Sequence, residues 1–183
     1  MRNFAKTSKK LTQTIPEEFT TVVIDQTRKA VGCDLYRAWF PVGERVQMPY
    51  WRTYESVRLL GGIAENGETF FTEVADSFNS DVTIRLLQAL QHKFGEKIHV
   101  ILDNATYFTS NKVAEFVDDS AIKVTHLPTG SPDMNPVEEC WRQLKMRLGN
   151  RFFGSVDELR PAIRHVLNDL NPPKIYDYLF LSV

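Results

Sequence analysis

The apolar positions of this chain change period along its length, and each change marks a new element. Thr20-Thr-Val-Val-Ile-Asp25-Gln-Thr is β-branched and apolar and reads as a strand that ends on an acid, Asp25. Leu35-Tyr-Arg-Ala-Trp-Phe reads as a second strand, closed by Pro41-Val-Gly43, with Trp39 in the core or as a lid at the edge of a site. Arg45 to Arg52 is irregular and reads as a packed loop. The runs 56–64 and 68–74 flank Ala64-Glu-Asn66-Gly67, and Asn-Gly between two β-rich runs is the strongest short hairpin signal. Residues 20–74 are thus expected to form four strands with antiparallel connections.

The period then shifts. Val82, Ile84, Leu86, Leu87, Leu90 and Phe94 fit an amphipathic helix with Ser80 or Asp81 as its cap and Gly95 at its end. Ile98-His-Val-Ile-Leu is mostly apolar and reads as a buried strand that stops at Asp103. Ser110 caps a helix to Val117 that turns Val113, Phe116 and Val117 inward, and Ile122 to Leu127 is another strand. His126, near that strand's end, is expected to be structural and not a ligand. Val137, Cys140, Trp141, Leu144 and Leu148 recur at helical spacing behind Asn135-Pro136, where proline suits the first turn and asparagine caps from outside. Ser155-Val-Asp-Glu158 is a capping box that opens a helix to about Leu170. Pro161 falls deep enough in it to predict a kink or a bent first turn. Asn171-Pro-Pro stops that helix, and Lys174 to Val183 is apolar enough to dock on the body or on a partner.

Antiparallel strands followed by helix, strand, helix, strand, helix predict an α/β protein: a mixed sheet with helices on its faces. The expected division is a polar N-terminal arm or linker (1–19), one folded domain (20–170) and a C-terminal tail (171–183). The chain's 183 residues suffice for one domain with a real core. No apolar run approaches the ~20 residues of a membrane span. The N-terminus lacks the apolar core of a signal peptide, so a cytoplasmic location is expected. The two cysteines, Cys33 and Cys140, form no C-x-x-C pattern, and neither a zinc site nor a disulfide is expected. A net charge of −1 is low for a protein that grips DNA strongly by itself. If the chain binds DNA at all, its positive charge is concentrated on one face or the recognition sits in another module.

Three acids change the picture. Asp25 and Asp103 end two buried strands, where open α/β sheets place ligands. Glu138 stands one turn into the helix that follows Pro136, with thirty-four residues between it and Asp103. If the two strands are neighbours, the three carboxylates converge. Like charges repel and raise one another's pKa, which calls for a cation. Mg²⁺ takes hard oxygen ligands and keeps positions for water and phosphate. Two such ions ~3.5–4 Å apart stabilise both oxygens of an in-line phosphoryl displacement. The acids therefore suggest metal-dependent phosphodiester cleavage or strand transfer. Arg142 and Lys145 follow Glu138 at i+4 and i+7, either to hold DNA phosphates or to pair with Glu138 or Glu139.

Two stretches carry a family resemblance. They are Ile101-Leu-Asp103-Asn104-Ala105 and Leu127-Pro-Thr-Gly-Ser131-Pro-Asp-Met-Asn135-Pro-Val-Glu138-Glu-Cys-Trp141, followed by Leu144-Lys145. Over about residues 20–170 the chain resembles the catalytic domain of DDE superfamily transposases, in the mariner-like group of prokaryotic insertion sequences. The resemblance implies an RNase H-like mixed sheet of three antiparallel strands plus parallel strands, flanked by helices. It implies a metal-binding catalytic triad of Asp25, Asp103 and Glu138, in that order, with Mg²⁺ or Mn²⁺, as two ions. It implies hydrolysis at transposon ends and attack of the freed 3′-hydroxyl on target DNA. The implied partners are double-stranded DNA, a second copy of the chain, and a helix-turn-helix module that a separate chain could supply. The sequence departs from the family pattern at Gln26, where Glu often stands, and at Phe108, where many relatives carry His. Only some twenty residues precede Asp25, so a fragment, half of a split frame or a decayed element is expected. Two alternatives stay open: a remnant that only binds DNA or dimerises, and another RNase H-like nuclease.

Overall fold

The computed structural model describes residues 18–37, 39, 41–43, 47, 54–75 and 77–179. Residues 1–17 of the expected arm, most of the 45–52 loop and the last four residues of the tail lie outside the described residues. Among the described residues five strands form one mixed sheet: β1 (Thr20–Ala30), β2 (Ser56–Ala64), β3 (Thr69–Val74), β4 (Ile98–Leu102) and β5 (Ile122–His126), in the order β3-β2-β1-β4-β5. β1, β2 and β3 pair antiparallel, and β4 and β5 add parallel to β1. The Asn66-Gly67 turn joins β2 to β3 as its sequence predicts: Gly67 takes φ +86°, and Asn66 Oδ1 accepts the Glu68 N–H at 2.9 Å.

Alternate residues of the strands feed two apolar layers. Val22, Ile24, Leu60, Val100 and Leu102 pack beneath helices α1 (Ser80–Phe94) and α2 (Asn111–Asp118). Val23, Leu59, Ile63 and Ile101 pack beneath α3 (Val137–Leu148), α4 (Val156–Asn168) and the single turn α5 (Tyr176–Leu179). Ile175 and Leu179 are buried in that second layer, so the described part of the tail docks on the body. α4 runs unbroken across Pro161, and Ser155 caps it by accepting the Glu158 N–H at 3.3 Å. The Glu158 carboxylate reaches back to the Gly154 N–H at 2.7 Å, one residue earlier than a capping box requires.

Three expectations need correction. β1 does not end at Asp25 but runs five residues further, because β2 goes on pairing with it as far as Ala30. Thr27 and Lys29 are buried along that extension, and Lys29 Nζ donates to the Ala30 carbonyl at 2.7 Å and meets Asp34 at 3.3 Å. The described residues of the second expected strand, 35–37 and 39, do not form one. β1 already has a partner on each side, and Gly32, at φ +102°, turns the chain away into a bridge with Phe153. Leu35 is exposed and Trp39 fully so, which removes Trp39 from the core and leaves three strands among the described residues of 20–74. The cap of α1 is Asn79, whose Oδ1 accepts the Val82 N–H at 2.9 Å, and not Ser80 or Asp81. Ser80 instead meets Ser110, the cap of α2, at 2.8 Å.

Candidate active site

β1 and β4 run parallel in a register that pairs Val22 with Val100 and Val23 with Ile101. Two residues further along both chains stand Asp25 and Asp103. β4 has stopped by then, whereas β1 continues, with Asp25 paired to Gly61 of β2. Asp25 therefore occupies the level at which its parallel neighbour ends, the position where α/β sheets open a crevice. Asp103 is half-buried and held from two sides: Oδ1 accepts the Ala105 N–H at 3.0 Å, and Oδ2 accepts from Gln26 Nε2 at 3.3 Å. His126 Nδ1 donates to the Asp103 carbonyl at 3.0 Å, and Asn104 Nδ2 donates to the Leu127 carbonyl at 2.6 Å. His126 thus fixes the turn after β4 in the structural role expected of it.

The third acid comes from α3. A short 3₁₀ turn, Pro132–Met134, leads into Asn135, whose Oδ1 accepts the Val137 N–H at 3.1 Å. The same side chain donates through Nδ2 to the carbonyl of Ile24 at 3.3 Å. One buried asparagine therefore both caps α3 and ties its start to the residue before Asp25. Glu138 follows in the first turn and is exposed. One turn later, Trp141 Nε1 donates to Asp25 Oδ2 at 3.0 Å.

Asp25, Asp103 and Glu138 line a single cleft of about 300 Å³, together with Asn104, Asn135 and the loop from Leu127 to Pro132. Asp25 is nearly inaccessible, and its carboxyl is pushed up to about 7. Burial is the main cause, the negative charges of Glu138 and Asp103 add to it, and the Gln26 N–H and Trp141 oppose it. Among the described residues, no three His, Cys, Asp or Glu side chains are gathered closely enough to cage an ion. The three acids nonetheless offer hard oxygens to one space, and the negative charge of Glu138 and Asp103, which adds to the effect of burial on Asp25, is charge a divalent cation would offset.

Arg142 and Lys145 do not line this cleft. Arg142 is exposed and forks onto Glu139, with Nε and Nη2 each 2.6 Å from a carboxylate oxygen. Lys145 is half-buried on the same helix. Phe108, where the family resemblance leads one to look for histidine, is buried edge-on against Tyr107 at 4.7 Å between ring centroids. Tyr107 stands within electrostatic reach of the acids: burial raises its hydroxyl pKa most, and Asp103 and Asp25 raise it further. Gln26 and Trp141 are the site residues that sequence reasoning missed. Gln26 read as the residue after a strand end and Trp141 as one more member of an apolar stripe.

This five-stranded mixed sheet flanked by helices is an RNase H-like fold. The solved catalytic domain of Mos1 mariner transposase has this fold: TM-score 0.67, 12% identity, covering 97% of this chain and 84% of that one. The Mos1 mariner paired end complex with Mn matches at TM-score 0.71 and 14% identity, over 97% of this chain and 56% of that one. A chain of the simian T-cell lymphotropic virus intasome matches at TM-score 0.55 and 18% identity, over 87% and 54%. This chain thus spans about half the length of the transposase and intasome chains in those complexes. No curated protein matches it by sequence. Residues 20–160 match the family model of the DDE superfamily endonucleases, and the chain belongs to that family.

Proposed function

We propose that residues 20–170 are the catalytic domain of a mariner-like transposase of a prokaryotic insertion sequence, with 1–19 as an arm and 171–183 as a tail. Asp25, Asp103 and Glu138 would bind Mg²⁺ or Mn²⁺, as two ions, and form the catalytic triad. The observation that carries the reading is the convergence of these acids on one cleft in a chain of the DDE endonuclease family. When bound, the metal would supply Lewis-acid stabilisation of charge on the phosphodiester oxygens. The protein's own contribution is to hold the three carboxylates apart on separate elements. Asn135 locks α3 to β1, and Gln26 and Ala105 orient Asp103. In the reaction, hydrolysis at a transposon end breaks a P–O3′ bond and frees a 3′-hydroxyl, which then attacks a phosphodiester of target DNA and displaces that strand's own 3′-oxygen. The partners are double-stranded DNA at the transposon ends and target, a second copy of the chain, and a helix-turn-helix module, in a cytoplasmic setting. Arg142 and Lys145 would reach DNA phosphates only outside the cleft, and Arg142 only by leaving Glu139.

Nicking of supercoiled plasmid with Mn²⁺ tests this. The expected result is nicking by the purified chain and at least a 100-fold loss in both Asp103→Asn and Glu138→Gln. Nicking that survives both substitutions would refute the triad. Mn²⁺ binding without cleavage, even with a helix-turn-helix partner added, would mark a remnant. Preference for RNA–DNA hybrids would mark another RNase H-like nuclease.

A further inference from the structure

Asp25 and Glu138 lie on different elements, and one side chain spans the gap between those elements. Trp141 follows Glu138 by one turn of α3, and its indole reaches back over the sheet to Asp25. The register places Asp25, Gly61 and Phe71 in one row across β1, β2 and β3. The indole lies along that row. Its ring meets Phe71 edge-on at 5.6 Å between centroids, and its N–H meets Asp25 Oδ2 at 3.0 Å.

Between those ends the ring passes directly over Gly61. A Cβ there would stand 2.6 Å from Cη2 and 2.7 Å from Cζ2 of Trp141, and 2.7 Å from Cδ1 of Phe71. Such distances admit no side chain, so the glycine is the space in which the indole sits. Trp141 is only 1% exposed, and its ring is held by Gly61 and Phe71, so its N–H has one fixed direction. An indole N–H is a donor only, and a carboxylate oxygen is an acceptor that a cation also seeks. Groups that hydrogen-bond a metal ligand from behind set its orientation, and their loss typically costs about 10- to 100-fold in metal affinity.

We propose that Trp141, seated over Gly61, is a positioning residue for metal binding: its N–H occupies Oδ2 of Asp25 and turns the other carboxylate oxygen toward the cleft. The inference rests on the metal-dependent reading above. A tryptophan that only filled the core would contribute to stability and leave the metal untouched.

Mn²⁺ binding to the purified chain without DNA, followed by electron paramagnetic resonance, separates the two. Trp141→Phe keeps an aromatic ring and loses the N–H. Gly61→Ala keeps both Asp25 and Trp141 and pushes the ring off its seat. Melting by circular dichroism establishes that each variant is folded. The expected outcome is Mn²⁺ binding about 10- to 100-fold weaker in Trp141→Phe and weaker in the same direction in Gly61→Ala. Folded variants with wild-type affinity would overturn the inference while leaving the functional reading intact. Should either variant fail to fold, the wild-type chain decides. Its Trp141 indole ¹⁵N–¹H resonance is expected to move on saturation with Mg²⁺, and a resonance that stays put in a chain that binds Mg²⁺ overturns the inference. No Mn²⁺ binding by wild type, or equal binding by Asp103→Asn, would overturn the functional reading and the inference with it.

Discussion

Asp25 is a carboxylate placed where a carboxylate is uncomfortable. Its pKa rises from 3.8 to about 7 in the folded chain, so folding takes up a proton between those values. At pH below about 4 both states are protonated and Asp25 costs nothing. As pH climbs toward 7 the unfolded chain ionises first, and stability falls by an amount on the order of 4 kcal/mol. Above about 7 the whole penalty is present. Asp25→Asn keeps an acceptor for Trp141 and removes the charge. It is therefore expected to melt higher than wild type at pH 8 and to lose that advantage by pH 4, in metal-free thermal scans across pH. A variant no more stable than wild type at pH 8 would contradict the electrostatic account. Asp103 and Glu138 were legible in the sequence because each sits beside a strong local signal, a strand end and a Pro-started helix. The parts played by Gln26 and Trp141 were not, because each depends on a partner 77 or 116 positions away.

At the scale of elements, legibility followed how locally each element is determined. The β2–β3 hairpin and the apolar stripe of α3 were readable because a turn or a helical period is set within a few residues. The length of β1 was not. Its second half, Gln-Thr-Arg-Lys, looks polar in sequence and is a strand only because β2 pairs along it. The strand expected at Leu35 failed for the converse reason: β1, the strand it follows in sequence, already has β2 and β4 on its two sides. Asn135 shows how an element boundary becomes part of a site. Asn135→Ala removes a cap worth about 1 kcal/mol and also the tie to the Ile24 carbonyl, for a total loss of roughly 1–3 kcal/mol. Ser155→Ala removes the corresponding cap of α4. Both are expected to lower stability in urea melts. Only Asn135→Ala is expected to slow plasmid nicking when the folded fractions are matched, because only α3 carries an acid of the cleft. Equal slowing by both would mean that helix stability alone, and not the α3–β1 tie, governs the site.

For the whole molecule, the sheet gathers negative charge at one crevice in a chain whose net charge is only −1. A cation that binds there favours the folded state by RT ln(1 + [L]/Kd), about 2.7 kcal/mol at a hundred times Kd. For a domain of this size that is a rise in melting temperature of roughly 5–10 °C. Protons compete for the same oxygens, since Asp25 holds its proton up to about pH 7. The Mn²⁺-induced rise is therefore expected to be large at pH 8, small at pH 5, reversed by chelation, and absent in Asp103→Asn. Differential scanning fluorimetry at the two pH values measures it directly. A rise of equal size at both would place the bound ion away from Asp25 and separate the metal's effect on stability from the three-acid cleft.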